Sequence, residues 1–488
     1  MELKYDECYS YVETLSKEEI KKLGIVYTPL SIVDYINTRV LDVWKKDNIR
    51  PPNVIDFSCG SGIFLIDMVE KISKHWGLTD KEAMKCVSGC DLDWNALNIA
   101  RSKLPDSNLF VADGLDVDLT GYDITVGNPP YVKIQNLDHG TRRKVELLGW
   151  TTGDYDLYIA FFERALKICP IVGYITPNSW AHTKSASLMR RWAKENQNIS
   201  ELVNFKNKKV FKGYDTYCSI TISSKGQKDA YILRDSLEDT GEIIPYNNFN
   251  EDQFMVSNGD LQFLKEVESR TTPLFDVCSI KTGLATLADS VFILEDCVLE
   301  NDHVLFEKNN ESYRIEKDIT FPCKRSGKIK RLVNKKVDRI IFPYHKDSLS
   351  LIKEGVLEES FPEAFSYLMK NKERLLKRDA GKVKESEWYC FGRSQGFKNN
   401  TKKLLLPTLI NNPFVLEDDD SHYVGYAVFE KEGTEEDLKS LNQIFTSDDI
   451  MRWIKIHGSP KGDRWYGIKK SIFKNYKINE RANESKSI

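Results

Sequence analysis

Apolar residues recur along this chain in short runs that alternate with amphipathic stretches, the pattern of strands and helices taking turns. Residues 1–24 read as a charged helical lead-in. Ile32, Val33, Ile36, Val40 and Leu41 then share one helical face, with Thr28 as the expected cap and Pro29 at the first position. Asn53 to Phe57 reads as a buried strand. It runs into Ser58-Cys59-Gly60-Ser61-Gly62, and a helix follows with Ile63, Leu65, Ile66, Val69 and Ile72 on its apolar side. Strand, glycine turn and helix make the first unit of a nucleotide-binding sheet. The spacing is not GxGxxG and no Lys follows, so the turn suits a cofactor without a pyrophosphate.

Further strands are expected at Val87–Asp91, Leu109–Ala112, Asp123–Val126, Gly173–Thr176, Glu201–Phe205 and Cys218–Ser223. Asp91 ends the second strand, where an acid can take both hydroxyls of a ribose. Asp93 reads as the cap of a helix starting at Trp94. Asp113 ends the third strand, where it can accept from an adenine amino group. Residues 133–153 are polar and read as a mobile loop, and 157–168 as a helix. Phe211 stands in a polar setting, and its residues alone favour a core position.

Residues 225–270 read as a connection ending in a helix through Phe263 and Val267. Beyond 271 the pattern changes. Strands are expected at Val291–Leu294, Arg339–Tyr344 and Leu404–Pro407, with a basic helix from about 361 to 377. The division expected is 1–250 for a catalytic domain, 251–270 for a connecting helix and 271–488 for a second domain.

At 488 residues the chain can build two or three cores. Hydrophobic residues at 41% and charged ones at 29% fit an ordinary globular protein, and no apolar run reaches spanning length. Ten cysteines without a CxxC pair suggest reduced cytoplasmic thiols, no disulfide framework and no metal site. The net charge of −3 hides local asymmetry. Lys324 to Arg339 holds eight Lys or Arg and one acid; Lys370 to Lys403 holds eleven basic residues and four acids. Such clusters suit a phosphate-binding surface as well as a solvated face.

The most telling stretch is Val126-Gly127-Asn128-Pro129-Pro130-Tyr131. A strand stopped by glycine and two prolines would hold an amide and a phenol at the carboxyl edge of the sheet. Methylation of an exocyclic amine suits this set. The Asn128 side-chain oxygen and the Pro129 carbonyl can accept the two amine hydrogens, which frees the nitrogen lone pair. Tyr131 can stack on the ring. A sulfonium methyl donor leaves as a neutral group, so no general base is required and alignment supplies most of the acceleration.

In this order the motifs resemble the gamma-type adenine-N6 DNA methyltransferases, typified by TaqI methyltransferase. Tyr27-Thr28-Pro29, Asp56 to Gly62, Asn128 to Tyr131, Asp154 to Tyr158 and Ile175 to Trp180 carry the likeness in the first half. The family often has Pro and Ala where Phe57 and Ser58 stand. Ile341 to Tyr344 and Trp388 to Phe397 carry a looser likeness in the second half.

The resemblance implies a Rossmann-like, seven-stranded, S-adenosylmethionine-dependent α/β domain followed by an α+β target-recognition domain. It implies S-adenosylmethionine held by Tyr27, Thr28, Asp56, Phe57, Cys59, Gly60, Gly62, Asp91, Leu92, Asp113, Gly114 and Asn128. Catalysis would fall to Asn128, Pro129, Pro130 and Tyr131. It makes Phe211 a second aromatic, beside Tyr131, for a base everted from duplex DNA. Lys281, Thr282, Lys328, Lys330, Arg331, Trp388, Arg393 and Gln395 become the expected DNA contacts. A cytoplasmic monomer and no membrane association are also expected; a separately encoded restriction endonuclease as a further partner and a solitary enzyme are both open.

Three other readings share part of the pattern. A protein glutamine methyltransferase also has Asn-Pro-Pro-Tyr but no domain after the sheet. A cytosine-N4 enzyme more often has Ser at position 128. A DNA-binding regulator that had lost catalysis would not be expected to keep every motif intact.

Overall fold

The computed structural model describes residues 5–16, 18–20, 24, 26, 28–151, 153–211, 216–248, 254–326, 338–393, 395–397, 401–413, 415–418, 421–432, 434, 436–462 and 464–479. Its contacts divide the chain into two units, Met1–Phe263 and Leu264–Ile488. The division falls inside the helix Asn258–Ser269, within the expected connecting segment.

The first unit is built on a sheet of β1 (Val54–Asp56), β2 (Val87–Asp91), β3 (Asn108–Val111), β4 (Ile124–Gly127), β5 (Ile171–Pro177), β6 (Ile199–Asn204), β7 (Cys218–Ser224), β8 (Ala230–Arg234) and β9 (Glu242–Pro245). Their order is β3-β2-β1-β4-β5-β7-β6-β8-β9. Strands β1 to β5 run parallel to one another, and β7 lies antiparallel between β5 and β6. Every residue of β1, β4 and β5 is buried, as strands covered on both faces require. Strand order reverses between β1 and β4. The crevice at their carboxyl ends is where such sheets bind ligands.

Seven of these strands are the expected ones, within about two residues. The other two, β8 and β9, lie in the segment expected to be a connection. They are short and only partly buried: Tyr231 and Leu233 of β8 and Ile244 of β9 are their buried residues. Two-sided burial never marks them, so their sequence reads as turn.

Six helices matter to the crevice: α1 (Asp6–Thr14), α2 (Leu30–Trp44), α3 (Ile63–Trp76), α4 (Trp94–Lys103), α5 (His139–Leu148) and α6 (Tyr158–Ile168). Asp93 caps α4 as expected, accepting from the amides of Asn95 and Ala96. Thr28 does not cap α2. That helix begins at Leu30 after an extended Pro29, with no side-chain cap bond, and the Thr28 hydroxyl is used elsewhere. The segment expected to be a mobile loop contains a 3-10 turn at Ile134–Asn136 and then α5. Asp138 accepts from the amides of Gly140 and Thr141 to start α5, and Gly149 ends it at φ 104°.

The second unit combines small sheets with short helices. One four-stranded sheet joins Cys278–Thr282, Tyr426–Glu430, Lys403–Leu406 and Leu416–Asp418; another joins Ile293–Leu294, Asp338–Ile341, Thr320–Arg325 and His422–Val424. Two elements differ from expectation. Asp289–Phe292 is a helical turn that leads into a strand of two residues, Ile293–Leu294. The basic helix is broken at Asn371 into Pro362–Lys370 and Lys372–Leu376.

Candidate active site

A cavity of ≈ 410 Å³ opens at the crevice, with Asp56, Gly60, Asp91, Asp113, Asn128 and Pro130 in its wall. The glycine turn reaches it because Gly60 and Gly62 take φ of 52° and 83°, where a side chain is disfavoured. Gly60 lines the cavity. Gly62 does not: a Cβ there would meet the Ala100 Cβ at 2.9 Å, so its role is close packing of α4.

Each Asp91 carboxylate oxygen accepts one backbone amide, from Gly60 at 2.7 Å and from Asp93 at 2.9 Å. Each keeps lone-pair capacity for a second donor. Burial raises the Asp91 pKa, and the amide bonds oppose that rise. Asp93 turns its second oxygen to the Tyr11 hydroxyl at 2.6 Å, which ties α1 to the cavity rim. Asp113 accepts from the Leu115 amide at 3.0 Å and from Lys144 of α5 at 2.6 Å.

Burial pushes the Asp56 carboxyl up to about 8, with repulsion from Asp91 adding to it. A Cβ on Gly127 would come within 2.7 Å of that carboxylate, so β4 approaches β1 here only as glycine. Phe57 stacks on Phe161 at 5.2 Å; both line the cavity, as do Cys59, Gly114 and the 66% exposed Leu92.

After β4 the chain turns into Asn128. Its side-chain nitrogen donates to the Val26 carbonyl at 3.2 Å and to the Thr28 hydroxyl at 3.0 Å. A carbonyl can only accept, so this contact fixes which way the amide points. The opposite atom, Oδ1, is buried and has no protein partner. Such an atom normally costs about 1–3 kcal/mol and calls for an explanation. Pro129 is buried behind it.

Tyr131 donates to the Ile175 carbonyl at 3.3 Å and packs edge-on against Tyr158, 6.0 Å between centroids. The segments around Tyr158 and Ile175 therefore brace this turn. Leu157 also donates to the Val132 carbonyl at 2.8 Å. Phe211 is 1% exposed and belongs to the same hydrophobic cluster that Tyr131 covers. In this state it offers no free face to a second ring, which is the core position its own residues favoured.

Tyr27 lies outside the described residues, and so do Lys328, Lys330 and Arg331. In the second unit Trp388 is 0% exposed and donates to Glu354 at 2.9 Å, so it is a core residue and not a surface contact. Arg393 is exposed and pairs with Asp379 at 3.1 Å; Gln395 is exposed on the following turn. The Lys281 ammonium lies 4.9 Å above the Phe429 ring, and Thr282 lines a separate cleft.

The ends of the first basic cluster are structural. Lys324 pairs with the buried Asp418, which Lys403 reaches at 2.7 Å. Arg325 pairs with Asp338 and Glu295, and Arg339 bonds to Thr320. The sequence places Lys144 only in a polar loop, with no sign of its bond to Asp113, and Tyr11 carries no signal because it lies in no motif.

Residues 79–211 match the family described as the Eco57I restriction-modification methylase. That match covers the segment from before β2 to Phe211, which includes Asn128 to Tyr131. The chain is similar to the type II restriction enzyme and methyltransferase RM.Eco57I of Escherichia coli, at 24% identity over 82% of this chain and 50% of that protein. The chain thus spans half the length of that relative. It is also similar to the type II methyltransferases M.BanIII of Aneurinibacillus aneurinilyticus, at 24% identity over 86% of this chain and 83% of that one. M.HindII of Haemophilus influenzae follows at 22% identity, over 91% of this chain and 88% of that one.

Among solved structures, the type IIL restriction-modification enzyme MmeI in complex with DNA shares the fold. The TM-score is 0.61 at 14% identity, covering 94% of this chain and 69% of that one. The matched methylase family uses S-adenosylmethionine, and the cavity residues fit that cofactor. Asp91 and Asp113 offer acceptors to a nucleoside, and the orphaned oxygen of Asn128 stands in the same wall. Among the described residues no helix is long and apolar enough to cross a membrane, and no cluster suits a metal ion.

Proposed function

We propose that this protein transfers a methyl group to the N6 amino nitrogen of an adenine everted from duplex DNA. One observation carries the reading: Asn128 is locked through its nitrogen, and its oxygen is buried without a partner. An amine hydrogen supplies the missing donor.

The adenine amine is a poor nucleophile because its lone pair is delocalised into the ring. Asn128 Oδ1 accepts one amine hydrogen and the Pro129 carbonyl the other, so the nitrogen moves toward tetrahedral geometry. S-adenosylmethionine supplies the methyl group on a sulfonium, whose departure leaves a neutral thioether. Asp91 and Asp113 hold its nucleoside and so set the approach of the methyl carbon to the amine. Tyr131 stacks on the base. The surplus amine proton passes to solvent after transfer, so no side chain needs to act as a base.

A paired adenine cannot reach this crevice, so the base leaves the stack. Asn rather than Ser at position 128 favours adenine over cytosine. The type II methyltransferases among the relatives support DNA as the substrate. In this reading the second domain, 271–488, reads the DNA sequence, the protein acts as a cytoplasmic monomer, and a separately encoded nuclease cuts unmodified sites.

The test incubates the protein with tritiated S-adenosylmethionine and mixed-sequence duplex DNA, then digests the DNA to nucleosides. Label should appear in N6-methyladenine. Label in N4-methylcytosine, or only in protein, would replace this reading.

A further inference from the structure

The second unit contains an open cleft of ≈ 640 Å³, lined in part by Ala285, Leu287, Ser290, Arg374, Lys377 and Arg378. One wall is the loop of residues 283–290, which is held at many points. Gly283 donates to the Gly425 carbonyl and Leu284 to the Tyr423 carbonyl. The Thr286 carbonyl accepts from Arg378 at 2.9 Å and from the Gly392 amide at 3.1 Å. The buried Thr286 hydroxyl accepts from Ala288 and donates to Asp289.

At the crest of this fixed loop stands Leu287, at φ 54° and 48% exposed. A leucine in the left-handed region is strained, because its Cβ crowds the following carbonyl oxygen. Strain of this kind persists where the surroundings over-determine it, typically at a ligand clamp. Here one side of the Leu287 side chain lies on Gly392, and the rest of it faces solvent.

The opposite wall is cationic. Arg374 bonds to the Ser290 hydroxyl at 2.6 Å and makes no ion pair among the described residues. Lys377 pairs with the exposed Glu373. The buried Arg378 gives its hydrogens to the carbonyls of Thr286, Leu375, Trp388 and Cys390, and meets no carboxylate among the described residues. Its charge therefore remains uncompensated beneath the cleft. Asp289 is the one acid in the described lining, and it is engaged by Thr286.

Two cations flanking one rigidly held apolar side chain match a nucleic-acid backbone with a base step beside it. We propose that this cleft seats one strand of duplex DNA, with Leu287 entering the base stack as a wedge and Arg374 and Lys377 on the neighbouring phosphates. Apolar wedges of this kind unstack a step and kink the duplex. Phosphate contacts fix the register. The inference rests on the reading of this chain as a DNA methyltransferase.

The test uses the full chain without cofactor and a short synthetic duplex labelled at both ends, so binding and bending are read apart from methyl transfer. Wild type should bend the duplex, seen as increased energy transfer between the ends. Leu287→Met should bend it equally. Leu287→Gln, of similar length but polar, should not, and should bind about tenfold more weakly with an unchanged salt slope.

Each phosphate contact contributes about 0.9 to the slope of log affinity against log salt. Arg374→Ala with Lys377→Ala should therefore lower that slope by about 1.8, and the exposed Lys377→Gln alone by about half as much. The proposal is overturned if wild type leaves the duplex straight, if Leu287→Gln bends it as wild type does, or if the salt slope survives loss of the cations. Transfer to N6-methyladenine that persists alongside any of these results would leave the methyltransferase reading standing.

Discussion

The side-chain nitrogen of Asn128 lies 3.0 Å from the hydroxyl of Thr28, which joins the turn after β4 to a residue one hundred positions earlier. The bond orients the amide, and the orientation leaves Oδ1 as the acceptor. Removing the acceptor should stop transfer without stopping binding. For Asn128→Ala we expect the methyl-transfer rate to fall by about 10²–10³-fold, the scale of losing one preorganised polar contact to the reacting group. Cofactor and DNA affinities should stay near wild type, measured by calorimetry and filter binding.

Thr28→Val should have a smaller effect of the same kind. The Val26 carbonyl still holds the amide, so one of two restraints is lost. A single hydrogen bond contributes about 0.5–1.5 kcal/mol, which predicts a rate loss of about tenfold at most. A loss as large as that of Asn128→Ala would mean that Thr28 touches the substrate itself.

Asp91 joins the glycine turn to β2 through the Gly60 amide. Asp91→Asn replaces one acceptor oxygen by a donor and removes the charge. Hydrogen bonds to charged groups contribute about 1.5–3 kcal/mol, so cofactor affinity should fall by about one to two orders of magnitude. The rise in melting temperature on adding S-adenosylmethionine should shrink accordingly. An unchanged thermal shift would place the ribose elsewhere.

Gly114 is constrained by its neighbours rather than by its φ. A Cβ there would lie 2.0 Å from the Phe57 carbonyl oxygen, a backbone atom that cannot move aside. Gly114→Ala should cost about 1–3 kcal/mol or more and distort the cavity wall. Gly121→Ala is the control, since its Cβ meets nothing within 4 Å and only its φ of +85° resists substitution. Chemical denaturation of the two variants should rank them in that order.

His422 gives the second unit a pH dependence. It stacks on Phe342 at 5.2 Å, and burial, with a smaller contribution from Lys403, pushes its pKa down from 6.5 to about 4. Between these values the unfolded chain binds the proton and the folded chain does not. Stability therefore rises with pH from about 4 to about 6.5, and is fully present above that window. The total is on the order of 3 kcal/mol. His422→Phe should flatten the acid side of a melting-temperature profile; a profile unchanged from wild type would put the titration elsewhere.

Much of the first unit was legible because its strands are buried on both faces. The runs at Val54, Val87, Ile124 and Ile171 are apolar for that reason, and their acids or glycines fall where the strands end. The strands β8 and β9 were illegible because they are short, lie among polar turns and are buried at only a few positions. Helix α5 was hidden for a different reason. Its polar surface reads as a loop, and only Asp138, a capping residue, announced its start. Trp388 misled because an aromatic among charges can be core or surface, and the decision rests with residues distant in sequence. Lys324 and Lys403 misled likewise: both charges are answered by Asp418, which no local pattern links to them.

The sequence by itself determined the alternation of strand and helix, the acids at the ends of β2 and β3, and the turn that places Asn128 after β4. These are local matters, set by periodicity, by glycine and by proline. Only the tertiary structure decided which atom of Asn128 remains available, because Val26 and Thr28 reach it from far along the chain. It alone placed Lys144 on Asp113 and Leu287 on a fixed crest. Hydrogen-bond partners and burial are properties of contacts between distant segments, and a linear pattern carries no record of them.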